Sequence, residues 1–180
     1  MPKKIWYAPN KFESYGEEEI KAVEECLRAG WLAGFGERTI EFEKRVSDYF
    51  GKKYGLFVNS GSSAILVGLC ALDLPKGSEV VTPACGFATT VAPLEQLGLK
   101  PVFCDVDLTS YVTTVEQLRR VVTPETKCLI LPNLIGNVPD WQAIREAFPG
   151  VILFEDSADT MTHTSCTDIS TTSFYASHVI

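Results

Sequence analysis

The chain has 180 residues, which at roughly 150 residues per domain corresponds to about one domain. Hydrophobic residues make up 46% and charged residues 22%, near globular averages, which sets aside disorder, collagen-like repeats and coiled coil. With 16 Lys+Arg against 23 Asp+Glu the formal net charge is −7, and without a basic cluster this is a poor electrostatic match for nucleic acid or an anionic membrane.

A domain of this length is expected to bury about 70% of the surface its unfolded chain exposes. Met1 to Trp6 carry two lysines with no apolar run behind them, so no signal peptide is expected. No stretch approaches the ~18 apolar residues of a membrane span. The six cysteines are scattered without a CxxC pair, which predicts reduced thiols in a cytoplasmic protein. The two histidines, His163 and His178, have no metal-ligand spacing around them.

The first predicted helix runs over 17–29, with Ile20, Val23 and Leu27 on one face, Ser14 just upstream and Gly30 as its stop. After Gly34-Phe35-Gly36, residues 39–50 repeat apolar positions (Phe42, Val46, Tyr49, Phe50) at helical spacing. Short apolar runs then alternate with helices. Strands are predicted over 54–59, 79–82, 101–105, 128–132, 151–155 and 170–175. Helices are predicted over 62–72, 87–97, from Thr114 with a Thr114/Gln117 capping box, and over 140–148 with Asp140 as N-cap. Continuous Val/Ile/Leu/Phe runs separated by helices indicate an α/β fold with a mostly parallel sheet covered on both faces. Ligands of such sheets bind beyond the carboxyl ends of the strands.

Four segments sit at that edge. Asn59-Ser60-Gly61-Ser62-Ser63 leaves a strand and enters a helix, where N–H groups, hydroxyls and the helix dipole suit a phosphate. An ordinary Ser-capped helix has the same residues. Leu153 to Asp159 ends a strand in adjacent carboxylates, Glu155 and Asp156. These suit a cationic group such as a protonated pyridine nitrogen, or an N-cap. Thr171 to His178 lines up hydroxyls before a histidine, either cleft residues or a packed imidazole. Thr82 to Phe87 puts an aromatic ring at a helix start, for stacking on a flat cofactor or for the core. Together the four describe a single ligand with a phosphate, a flat ring and a cationic ring nitrogen.

The segments 57–64, 79–91, 101–107, 155–159 and 173–178, in that order, resemble the DegT/DnrJ/EryC1/StrS family of pyridoxal-phosphate-dependent sugar aminotransferases and dehydrases. The resemblance implies the large domain of the fold type I transferases. Residues 1–50 would form an N-terminal helical segment and 51–180 the N-terminal part of the cofactor-binding large domain, with a small C-terminal domain outside this chain. It implies that Ser62 and Ser63 at the helix start and Ser173 contact the cofactor phosphate, that Gly61 lies in the cofactor site, that Phe87 stacks on the ring, and that Asp156 pairs with the ring nitrogen. Asp159 stands where aminotransferases usually have Gln and the 3-dehydrase branch has Asp.

Position 178 holds His where aminotransferases of the family have the lysine that bonds the cofactor. The 4-keto-6-deoxy-sugar 3-dehydrases make the same replacement and use the His as base. The resemblance therefore implies a pyridoxal or pyridoxamine phosphate enzyme, with His178 catalytic, that removes the C3 hydroxyl of a nucleotide-linked 4-keto-6-deoxyhexose, as in lipopolysaccharide biosynthesis. It further implies a homodimer and a reductase partner. A lysine-less sugar aminotransferase homologue and a non-catalytic cofactor-binding module are the alternatives. Asn133 stands where relatives commonly have His, which bears on the sugar used. Val179-Ile180 ends the chain inside an apolar run, so a longer protein is expected, and the 180 residues alone are expected to be inactive.

Overall fold

The computed structural model describes residues 15–31 and 34–175. Five strands, β1 (Glu79–Pro83), β2 (Lys100–Cys104), β3 (Thr126–Pro132), β4 (Ile152–Ser157) and β5 (Ile169–Thr172), form one sheet. Its order is β2-β1-β3-β4-β5 and every neighbouring pair is parallel. Six α-helices are described: α1 (Glu17–Ala29), α2 (Glu37–Tyr49), α3 (Gly61–Ala71), α4 (Ala88–Gln96), α5 (Val115–Arg119) and α6 (Trp141–Ala147). The α/β class and its parallel sheet are as the sequence predicts.

Period-two alternation sorts the strand residues onto two cores. Val80, Cys128, Ile130 and Phe154 pack with Ile65 and Leu69 of α3 and Leu94 of α4. Their chain neighbours Val81, Leu129, Leu131 and Leu153 pack with Leu118 of α5 and Trp141 and Ile144 of α6 on the other face. At Gly68 a Cβ would come within 2.8 Å of the Phe154 ring, so α3 lies on β4 as closely as a side-chain-free position allows. The order reverses between β1 and β3, the point where open parallel sheets hold ligands.

Local signals set most element ends. Thr114 and Gln117 form the predicted capping box of α5. The Asp140 side chain accepts from Ala143 N at 3.0 Å at the start of α6, and Gly30 ends α1 at φ +73. The α1 N-cap is Gly16, and Glu19 Oε2 accepts from Gly16 N at 2.6 Å; Ser14 lies outside the described residues. The apolar stripe Ile20, Val23 and Leu27 of α1 is exposed.

Residues 54–59 form no strand. Their backbone is engaged by α2 instead of a sheet ladder. Phe57 N donates to Glu43 Oε1 at 2.8 Å, and a Cβ on Gly55 would meet Glu43 O at 2.5 Å. The last strand ends at Thr172, short of the predicted Tyr175. Among the described residues no helix is long and apolar enough to cross a membrane.

Candidate functional site

The start of α3 lies against the end of β5. Ser60 caps α3, its Oγ accepting from Ser63 N at 3.1 Å, and the first-turn N–H groups that follow have no intrahelical acceptor. A Cβ on Gly61 would stand 3.2 Å from Ser173 Cβ, so Gly61 permits this approach. Ser62 is exposed, Ser63 is half-buried, and Ser173 is buried with its Oγ accepting from Tyr175 N at 3.3 Å. Gly61, at the start of the predicted phosphate grip Ser62-Ser63, and Ser173 are thus brought to one spot.

Asp156 is the last residue but one of β4, in register with Pro132 on one side and Thr171 on the other. It is 6% exposed. Thr90, in the first turn of α4, donates its hydroxyl to Asp156 Oδ2 at 2.8 Å. Phe87, the residue before α4, is 71% exposed. Its ring is therefore uncommitted to the core. One short helix start carries both the exposed ring and the hydroxyl that holds the carboxylate.

Asp159 lies past the end of β4, and its Oδ2 accepts from Ile135 N at 3.1 Å. Ile135, in the 3₁₀ turn Leu134–Gly136 that follows β3, has φ +56, a strained setting for a β-branched residue. Asp159 thus braces a turn at the switch point of the sheet. His178 lies outside the described residues.

Glu155 departs from the reading of adjacent carboxylates at one edge. Alternation turns it to the α5/α6 face, away from Asp156, where it is fully buried. Asn133 Nδ2 donates to its Oε1 at 2.7 Å, and the hydroxyls of Thr162, Thr164, Thr167 and Ser170 complete the shell. Asn133 itself is buried, donating also to Ser157 Oγ at 2.9 Å and accepting from Trp141 Nε1 at 3.2 Å. A buried carboxylate requires such saturation. Sequence reasoning missed Thr90 as the partner of Asp156, although its place one turn into a helix that starts at the strand-end edge was a signal. The Glu155 shell joins Asn133, just past β3, to hydroxyls of residues 162–170 and had none.

The site is an open edge. A groove of about 500 Å³ between α2 and Met161, lined by Arg38, Phe42, Arg45, Val46 and Tyr49, shares no residue with it.

A curated relative, the GDP-4-keto-6-deoxy-D-mannose 3-dehydratase of Yersinia pseudotuberculosis, is 32% identical over 161 residues, 85% of this chain and 41% of the relative. The dTDP-4-dehydro-2,3,6-trideoxy-D-glucose 4-aminotransferase of Saccharopolyspora spinosa is 34% identical over 147 residues, 79% of this chain and 38% of the relative. Among solved structures, the E. coli GDP-4-keto-6-deoxy-D-mannose-3-dehydratase with bound hydrated PLP superposes with a TM-score of 0.77 at 32% identity. That match covers 84% of this chain and 41% of that one. The chain spans about two fifths of the length of the curated relatives it matches. Residues 13–180, which include the whole sheet and every strand-end residue described above, match the family model, and the chain belongs to the DegT/DnrJ/EryC1/StrS aminotransferase family.

Proposed function

We propose that this chain is the cofactor-binding part of a sugar 3-dehydrase, which uses pyridoxal or pyridoxamine phosphate to remove the C3 hydroxyl of a nucleotide-linked 4-keto-6-deoxyhexose. The observation that carries the reading is Asp156, a buried carboxylate at the ligand edge of a parallel sheet, held by the Thr90 hydroxyl at 2.8 Å. The donor set fits the cofactor. A helix start with Ser62 and Ser63 suits the phosphate, next to Ser173, whose close approach only the missing side chain of Gly61 permits. The exposed Phe87 ring suits the flat pyridine. Pyridoxamine phosphate, when bound, would supply an amine for the C4 ketone of the sugar and a ring able to hold the electron pair left by the C4′ proton until the C3 hydroxyl departs.

The protein's part is positioning and proton control. Asp156 would hold the proton on the ring nitrogen, with Thr90 fixing its carboxylate. Asp159, through Ile135, would shape the turn after β3 on the substrate side of the same edge. His178 is the base this sequence offers at the cofactor's C4′ carbon, since an imidazole titrates near neutral pH. A histidine at the place of the bonding lysine favours dehydration over transamination. In its sugar and nucleotide the 3-dehydratase from Yersinia pseudotuberculosis supports a GDP-linked 4-keto-6-deoxyhexose as first candidate.

Residues 51–180 would belong to the large domain and 1–50 to an N-terminal helical segment. A cytoplasmic homodimer served by a reductase is the expected setting, and the uncovered apolar stripe of α1 offers such a dimer a surface.

Titration of the protein with pyridoxamine phosphate, followed by absorbance, tests binding, and GDP-4-keto-6-deoxymannose added afterwards tests turnover. The longer protein of which this chain would be a part should bind the cofactor and release the C3 hydroxyl as water. Asp156→Asn should lower turnover on the order of 10²–10³-fold, the scale of removing one preorganised electrostatic partner. Absence of any spectral change on adding cofactor would rule the proposal out.

A further inference from the structure

Lys52 follows α2 in the chain, and its ammonium is held at three points. Nζ donates to Thr164 O at 2.7 Å, Thr167 O at 2.5 Å and Thr167 Oγ1 at 2.7 Å. Three acceptors occupy all three N–H donors that an ammonium possesses. The Thr167 hydroxyl that receives one of them lies 3.2 Å from Glu155 Oε2, as a donor. A positive charge and a fully buried negative one are therefore separated by one hydroxyl group. The residues linked in this way are 112 and 115 positions apart in the chain. Burial pulls the Lys52 ammonium below its ordinary pKa range and the Glu155 carboxylate pulls it back up.

Two backbone carbonyls, a hydroxyl and a nearby carboxylate are the oxygen chemistry that binds a small monovalent cation. Nothing in this set is particular to a lysine except the tether. We propose that the 164–167 turn with Glu155 is a monovalent-cation cradle whose resident cation is the Lys52 ammonium. In this cradle the tethered cation closes the turn onto α2 and balances the charge of Glu155. It thereby sets the carboxyl end of β4, where the next residue is Asp156. The cradle is independent of which reaction the strand-end site performs.

Removing the tether should leave a site for free ammonium, which brings the same N–H donors. The test is thermal unfolding of the full chain and its Lys52→Ala variant in ammonium, sodium and tetramethylammonium chloride at matched ionic strength. Lys52→Ala should melt below the parent in sodium and tetramethylammonium, and rise by roughly 2–4 °C in ammonium, a shift readable for a chain this size. The parent should show no such rise. Lys52→Met, whose apolar chain fills the cradle, should be destabilised and blind to ammonium. The proposal is overturned if Lys52→Ala is as stable as the parent. Equal melting in the three salts, failure to fold in all of them, or an ammonium response shared by Lys52→Met would each overturn it too.

Discussion

The Thr90 hydroxyl donates to Oδ2 of Asp156 at 2.8 Å, both side chains buried and 66 residues apart in the chain. This bond ties the first turn of α4 to the end of β4 and fixes one oxygen of the carboxylate. Thr90→Val keeps the shape of the side chain and removes the donor. It should cost about 1–3 kcal/mol in urea unfolding, the range for a buried charged acceptor that loses a partner. Affinity for pyridoxal phosphate should fall with it, while Thr90→Ser should restore both. Unchanged cofactor affinity in Thr90→Val would show that the orientation of Asp156 does not depend on this hydroxyl.

At Gly68 α3 packs tightly on the sheet: an added Cβ would meet Phe154 ring atoms at 2.8 and 2.9 Å. Phe154 is fully buried and cannot swing away. Gly68→Ala gains about 1 kcal/mol of helix propensity, but overpacking a filled core costs about 1–3 kcal/mol. A net loss is expected, seen as a melting point roughly 2–4 °C lower. Because α3 also carries Ser62 and Ser63, its displacement should weaken phosphate binding in an inorganic phosphate titration. A melting point at or above the parent's would mean that α3 shifts without penalty.

Helix and strand types were legible wherever periodicity and caps agreed. The Thr114/Gln117 box and the Asp140 cap both form as read, because each uses contacts only three residues apart. The segment 54–59 has a real apolar run, but its hydrogen-bonding partner is Glu43 on α2, which no local pattern reveals. Glu155 and Asp156 were read as a pair, yet alternation along β4 places them on opposite faces. Alternation from Leu153 and Phe154 onward carries this separation in the sequence itself. The Lys52 cradle was out of reach, as its partners come from a turn more than a hundred residues away.

Thiol reactivity should map the site edge. Cys70 and Cys85 are exposed, while Cys104 and Cys128 are buried and their burial raises both thiol pKa values. Thiolate is the reactive form, so iodoacetamide should modify Cys70 and Cys85 in the native protein and reach Cys104 and Cys128 only on unfolding. Cys85 lies in the loop between β1 and α4, two residues before Phe87. Pyridoxal phosphate should slow its labelling and leave Cys70 unaffected, as read by peptide mass spectrometry. Equal protection of the two thiols would place the cofactor elsewhere.

His178→Lys tests the role assigned to the residue that distinguishes the dehydrase reading from the transaminase one. An imidazole forms no stable imine with an aldehyde, whereas a lysine amine does. With pyridoxal phosphate the variant should therefore acquire covalent attachment that borohydride reduction makes permanent, and the parent should not. Dehydration should fall by about 10²–10⁴-fold, the usual contribution of a positioned acid or base, because an unperturbed lysine is protonated at neutral pH. If the variant binds the cofactor without any borohydride-trapped adduct, position 178 does not face the reacting carbon and the base must be sought on another strand end. If it is trapped and still dehydrates at the parent rate, His178 is dispensable as a base, and the loss of lysine there reflects only the absence of a need to bond the cofactor.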